Sequence, residues 1–139
     1  MRVIKLPAGL QKIGDGAFVR CQRLISIEIP NTVNDLGSGA FANCSSLEKV
    51  TLSDGIETIR MNTFRQSGIK SIVLNSNIKS IKEGAFRECD SLESVTINGV
   101  ETIEDQAFLN CGNFKLIFNC PPPKILGENI FTGSSPIIQ

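Results

Sequence analysis

The stretch Leu36-Gly-Ser-Gly-Ala-Phe41-Ala-Asn-Cys44-Ser-Ser-Leu47-Glu-Lys-Val50-Thr-Leu52 decides the fold, because its pattern returns along the whole chain. Phe41 has counterparts at Phe18, Phe64, Phe86, Phe108 and Phe131, at intervals of 23, 23, 22, 22 and 23 residues, while Phe114 and Phe118 fall outside that spacing. Five residues ahead of each Phe stands Ile13, Leu36, Ile59, Ile81, Ile103 or Leu126. Eight ahead, the column reads Leu10, Val33, Ile56, Ile78, Val100 and then Pro123, so the last copy is a variant. A fixed period of this length means units that cannot bury their apolar faces alone and stack to do so.

Working outward from Phe41, the segment that follows it sets Leu47, Val50 and Leu52 against polar neighbours. The same columns hold Leu24, Ile27 and Ile29, then Ile69, Ile72 and Leu74, then Leu92, Val95 and Ile97. Apolar and polar residues alternate there, the period of a half-buried strand. Turn formers close each strand, at Pro30, at Ser53-Asp54-Gly55, at Asn75-Ser76-Asn77 and at Asn98-Gly99. The segment around each Phe spaces its apolar residues by three to four, which predicts one or two turns of helix. Two copies are one residue short, at Phe64-Arg-Gln-Ser-Gly-Ile69 and at Asn98-Gly99, both in connections. The expected fold is a right-handed β/α superhelix of about six coils, each of 22–23 residues with one short parallel strand and one short helical turn. It forms a single domain over residues 1–139, with 119–139 as a variant terminal repeat.

Ile29-Pro-Asn-Thr-Val33 through Leu36, then Gly39-Ala-Phe-Ala-Asn-Cys44 through Leu47 to Val50, resembles one unit of the BspA-like, or treponemal-class, leucine-rich repeat. The likeness runs over nearly the whole chain, although Pro after the strand survives only at Pro7 and Pro30. The tail from Cys120 to Gly133 is similar to the penultimate repeat of bacterial members, which continue into one more strand and a short helix. That continuation is expected to be absent here, and Met1 falls in the strand's leucine column, so the chain reads as a fragment of a longer protein. The resemblance implies an extracellular or cell-surface protein that acts by adhesion or protein binding.

Composition narrows the function. Fourteen Lys plus Arg balance fourteen Asp plus Glu, leaving no excess positive charge to neutralise a phosphate backbone, so nucleic acid is not an expected partner. No apolar run approaches the roughly 20 residues of a membrane span, and Met1–Pro7 lacks the apolar core of a signal peptide. His, Tyr and Trp are absent, which removes the usual proton shuttle and imidazole metal ligand. Scattered carboxylates form no recurring acid and base pair of the kind glycoside hydrolysis needs. No catalytic residue, cofactor or metal site is predicted.

Three local patterns invite chemistry and read better as structure. Cys21, Cys44, Cys89 and Cys111 each stand three residues after the repeat Phe, with Ser67 and Ser134 in the same column. Stacked coils would set them roughly 5 Å apart, and a buried ladder of reduced thiols is favoured over neighbouring disulfides, whose dihedral near 90° parallel side chains disfavour. Cys120 lies outside the ladder and is unassigned. Gly37-Ser-Gly39-Ala-Phe-Ala42 imitates a dinucleotide-binding loop, yet it occupies the same columns as Gly14-Asp-Gly16-Ala-Phe18 and reads as a coil corner. Asn43-Cys-Ser45 matches a glycosylation acceptor once, with its Cys in a core column.

What remains is the outward face of the strands. Reading across them gives one row of Arg2, Ile25, Glu48, Lys70, Glu93 and Lys115, whose last four alternate in sign and support register. A second row holds Val3, Ser26, Lys49, Ser71, Ser94 and Leu116, and a third Lys5, Glu28, Thr51, Val73, Thr96 and Phe118. Lys49, Lys70, Ser71, Val73, Ser94 and Thr96 are the candidate contacts for a protein or glycan partner. Leu116 and Phe118 form an apolar end to the sheet, either a docking patch or a surface for a further repeat. The competing reading is a spacer that holds a distal binding site away from the cell.

Overall fold

The computed structural model describes residues 3–125 and 127–139; the expectations placed on Met1, Arg2 and Leu126 lie outside the described residues. Its strands, in chain order, are β1 (Val3–Lys5), β2 (Lys12–Ile13), β3 (Ser26–Glu28), β4 (Asp35–Leu36), β5 (Lys49–Thr51), β6 (Thr58–Ile59) and β7 (Ser71–Leu74). They continue as β8 (Ser80–Ile81), β9 (Ser94–Ile97), β10 (Thr102–Ile103), β11 (Lys115–Phe118), β12 (Lys124–Ile125) and β13 (Ile137–Ile138). The odd-numbered strands make one seven-stranded parallel sheet in chain order, and the two-residue even-numbered strands make a narrow second wall in two sections. Every strand therefore pairs with the equivalent strand one coil away, as stacked repeats require.

Register follows the columns of the sequence. Ile4 pairs with Ile27, Ile27 with Val50, Ile72 with Val95, and Leu74 with Ile97, so like residues meet like residues and point into the coil. Between the two walls runs the aromatic spine. Phe18, Phe41, Phe64, Phe86, Phe108 and Phe131 stack in order at centroid separations of 5.3, 5.6, 5.4, 5.2 and 5.8 Å, none tilted by more than 16°. Phe41, Phe64, Phe86 and Phe108 are wholly buried. Such offset pairs add about 0.5–1.5 kcal/mol beyond simple area burial.

The predicted helical turn does not form. Around each Phe, alternate amides take different partners. Ala17, Val19 and Cys21 donate three residues back, to Gly14, Gly16 and Phe18, whereas Gly16, Phe18 and Arg20 donate across to Ser38, Ala40 and Ala42 of the next coil. An α-helix needs every amide directed four residues back. The left-handed residues explain why it cannot start: φ is positive two residues before the Phe (Gly16, Gly39, Asn62, Gly84, Gln106, Asn129) and again two after it (Arg20, Asn43, Gln66, Glu88, Asn110, Gly133). A positive φ every fourth residue bends the chain into successive tight turns and frees half of its amides for the neighbouring coil.

The last coil brings two further corrections. A further strand, β13, is present after the variant repeat and pairs with β11 through Lys115–Ile137 and Leu116–Ile138. Secondly, β11 is offset by one residue from the count out of Phe108: Lys115 pairs with Ser94, Leu116 with Val95, Ile117 with Thr96 and Phe118 with Ile97. Phe114 keeps the leucine column, buried and stacked 5.3 Å from Phe108, and Leu116 follows it by two residues where Val95 follows Leu92 by three. Among the described residues no helix is long and apolar enough to cross a membrane.

Candidate functional site

Three surfaces are available to a partner: the outward face of the seven-stranded sheet, the second wall, and the turns around the Phe spine. The second wall is tied up internally. Arg60 reaches the Asp35 carboxylate at 2.7 Å, Lys82 reaches Glu104 at 2.8 Å, and the Ser80 hydroxyl donates to Thr58 at 3.1 Å, each contact joining neighbouring coils. The turns carry the thiols.

Those thiols are structural. Cys44 Sγ donates to the Phe18 carbonyl at 3.0 Å, Cys89 to Phe64 and Cys111 to Phe86 at 2.9 Å, and Ser134 Oγ completes the series on Phe108 at 2.6 Å. All five cysteines are free, Cys120 half-buried with its sulfur 3.8 Å from the Ile97 carbonyl. Each ladder thiol thus adds a second donor to a carbonyl of the preceding coil that already accepts the amide three residues on, filling its other lone pair. Burial pushes Cys44 up to about 11, Cys89 to about 12 and Cys111 to about 11, from the ordinary 9.0. They are protonated at neutral pH and supply no nucleophile.

The direction of these shifts fixes a pH dependence. Above about pH 9 the unfolded chain releases thiol protons that the folded chain retains, so this contribution is complete below pH 9 and is lost as pH rises toward 11 and 12. Replacing Cys44, Cys89 and Cys111 together by Ser, the residue already used at positions 67 and 134, is expected to remove that alkaline loss. Urea midpoints measured across the alkaline range for both proteins check this; identical slopes would contradict it.

The outward sheet face is the remaining surface. Lys49, Ser71 and Ser94 share one row with Val3, Ser26 and Lys115, and Val73 and Thr96 share the next with Ile117. Lys70 lies exposed beside β7 with Nζ 3.4 Å from the Glu48 carboxylate, a pair worth at most a few tenths of a kcal/mol to stability at that exposure. The expected opposition of Glu93 and Lys115 is absent, because the offset of β11 moves Lys115 into the row of Ser94. The same offset corrects the apolar end: Leu116 is completely buried and Phe118 packs against the core, so neither offers a docking patch, and Ile117 takes the outward place.

Two shallow depressions mark the face. One, of about 730 Å³, is lined by Val3, Lys5, Ser26 and Glu28 over β1 and β3; the other, of about 280 Å³, by Lys49, Asp54, Ser71, Val73 and Asn75 over β5 and β7. They meet at Thr51. Under the second, the ladder between β5 and β7 matches only at Lys49–Ser71, whereas β3–β5 matches over three residues and β7–β9 over four. Val73 stands here, 59% exposed among hydroxyls and charges. The count from the Phe column found Val73; it did not find the opening beside it, which a one-residue shortening at Gly68 anticipates only in hindsight. A side chain at Gly68 would collide with the Ser45 carbonyl, so the shortened connection draws the two coils together on one side of this opening. Among the described residues no group of three His, Cys, Asp or Glu side chains could hold a metal.

Parallel strands paired coil to coil, an aromatic spine and a flat outward sheet define a leucine-rich-repeat solenoid of about six turns. The family described as BspA type leucine rich repeat region matches residues 1–138 in six copies, and the chain belongs to that family. A solved leucine rich cell surface protein from Faecalibacterium prausnitzii A2-165 is 32% identical with a TM-score of 0.79 over 84% of this chain. The chain spans 32% of that protein's length. The Treponema pallidum leucine rich repeat protein is 22% identical with a TM-score of 0.74, over 94% of this chain and 75% of its own. The pneumococcal vaccine antigen PcpA is 19% identical with a TM-score of 0.68, over all of this chain and 42% of its own; these last two share the fold. No curated protein matches the chain.

Proposed function

We propose that this chain is a non-catalytic protein-binding module acting at a cell surface, with the outward face of the seven-stranded sheet as its working surface. The observation that carries the reading is Val73, an exposed apolar side chain ringed by Lys49, Ser71 and Thr96 beside the opened ladder of β5 and β7. An apolar anchor within a polar rim is how a protein interface concentrates its energy. The thiols and carboxylates are committed to structure or solvent, which leaves surface as the means of action. The F. prausnitzii likeness supports the location, since that protein is described as a cell surface protein.

A second reading, repeats that hold a distal site away from the cell, draws on the fact that the chain spans 32% of that same protein. The variant Lys49→Glu, Ser71→Arg, Val73→Arg, Thr96→Arg separates the two. All four residues project outward and none is core, so the fold is expected to survive, as circular dichroism will report. Binding to the solubilised surface proteins of cultured epithelial cells is expected to fall at least tenfold, the loss of about 1.4 kcal/mol or more. No binding by the unsubstituted chain leaves the spacer reading, undiminished binding by the variant moves the contact off the sheet face, and binding that survives protease treatment of the cell fraction assigns the ligand to glycan.

A further inference from the structure

At the end of β9 the chain reads Asn98-Gly99, and Asn98 is the one asparagine followed by glycine. Glycine offers no side chain to shield its amide nitrogen from the neighbouring carboxamide. That nitrogen can attack Cγ of the asparagine, closing a five-membered imide. Both residues are partly accessible to water, and they lie in a bend outside the ladder of strands.

We propose that Asn98–Gly99 is the site at which this protein undergoes spontaneous conversion of amide to acid, and that the side chain of Asn119, one coil on, holds the reaction back. The Gly99 amide loses its proton to hydroxide, its nitrogen bonds to Asn98 Cγ, and the Cγ–Nδ2 bond breaks with release of ammonia. Water then opens the imide at either carbonyl, leaving aspartate or isoaspartate at position 98. Atoms balance as one water consumed and one ammonia released.

The restraint is visible at both ends of the side chain. Asn98 Nδ2 donates to the Leu74 carbonyl at 3.1 Å, and Asn98 Oδ1 accepts from Asn119 Nδ2 at 3.0 Å. A carboxamide held at both ends cannot swing toward the following nitrogen without breaking a bond. The lock is uneven, because the Leu74 contact is part-buried and the Asn119 contact is exposed to solvent. Conversion would also not be silent. A carboxylate cannot donate to Leu74, and an isoaspartate adds a backbone carbon beside Gly99, where a Cβ would come within 2.5 Å of the Ser76 carbonyl. The β7–β9 junction, next to the proposed binding face, would lose its fit.

The test is to incubate the folded protein at mildly alkaline pH and follow each asparagine by peptide mass, with isoaspartate detected by enzymatic methylation. Asn98 is expected to convert first, and Asn119→Ala, at an exposed position, to accelerate it about fivefold, the factor one ordinary hydrogen bond represents. Asn119→Asp, the same shape without the amide donor, is expected to do likewise and guards against a packing effect of the alanine. Faster conversion at another asparagine of the folded protein, or an unchanged Asn98 rate in both variants, overturns the proposal.

Discussion

Phe64→Ala is expected to destabilise the protein by about 3–5 kcal/mol, because it empties the middle of the spine and leaves Phe41 and Phe86 facing a cavity. Phe64 is wholly buried between rings 5.6 and 5.4 Å away, and no neighbouring side chain can fill the gap without breaking the stack. Phe18, partly buried at the edge of the spine, has a stacked ring on one side only, and Phe18→Ala should cost clearly less. Urea unfolding monitored by circular dichroism measures both. A loss below about 1 kcal/mol at Phe64 would show that the rings are not the spine of the core.

The second large effect separates adjacent residues. Leu116→Lys is expected to cost more than about 4 kcal/mol, since it buries an unpaired charge where the side chain is completely enclosed. Ile117→Lys, one residue on and facing outward beside Thr96, should stay within about 1 kcal/mol of the parent. Counting out from Phe108 predicts the reverse order, so the pair decides the register of β11 by unfolding measurements alone. Equal costs would mean that neither count describes the last coil.

That register shows where sequence reading succeeded and where it failed. The Phe column, the Cys column and the first five strands of the large sheet were legible because each rests on a side chain whose burial repeats at a fixed interval. The last strand was misread because its coil is one residue short between the leucine column and the strand. Phe114 stands six residues after Phe108, as Leu24, Leu47 and Leu92 stand six after Phe18, Phe41 and Phe86, but the inward Leu116 follows it by two residues where Val95 follows Leu92 by three. Counting on at the usual interval therefore turns Lys115 and Leu116 outward, whereas the alternation Leu116-Ile-Phe118 marks the register the strand adopts.

The absent helix has a different cause. Apolar spacing of three to four suits a helical turn and a pair of tight turns equally, so the pattern around Phe41 cannot choose between them. The choice is made by amide bonds to the next coil, such as Phe41 to Thr63, which are non-local and leave no mark on one repeat. Glycine at 16, 39 and 84 hinted at positive φ, but Arg20, Gln66 and Glu88 adopt it too, against their preference, because the neighbouring coils hold them there. The outward residues Lys49, Lys70, Ser71, Val73, Ser94 and Thr96 were legible as the complement of the core. Ile117 was lost with the register, and the opening between β5 and β7 depends on how two whole coils sit together.

The surface proposed to meet the partner is the sheet face and not the turn face. A photo-crosslinking side chain placed at Val73 and, separately, at Met61 tests it most directly, for both are well exposed, at 59% and 48%, on the sheet and among the turns respectively. After illumination with solubilised epithelial surface proteins, a discrete protein adduct is expected from position 73 and none from position 61. An adduct from position 61 with none from position 73 would contradict it.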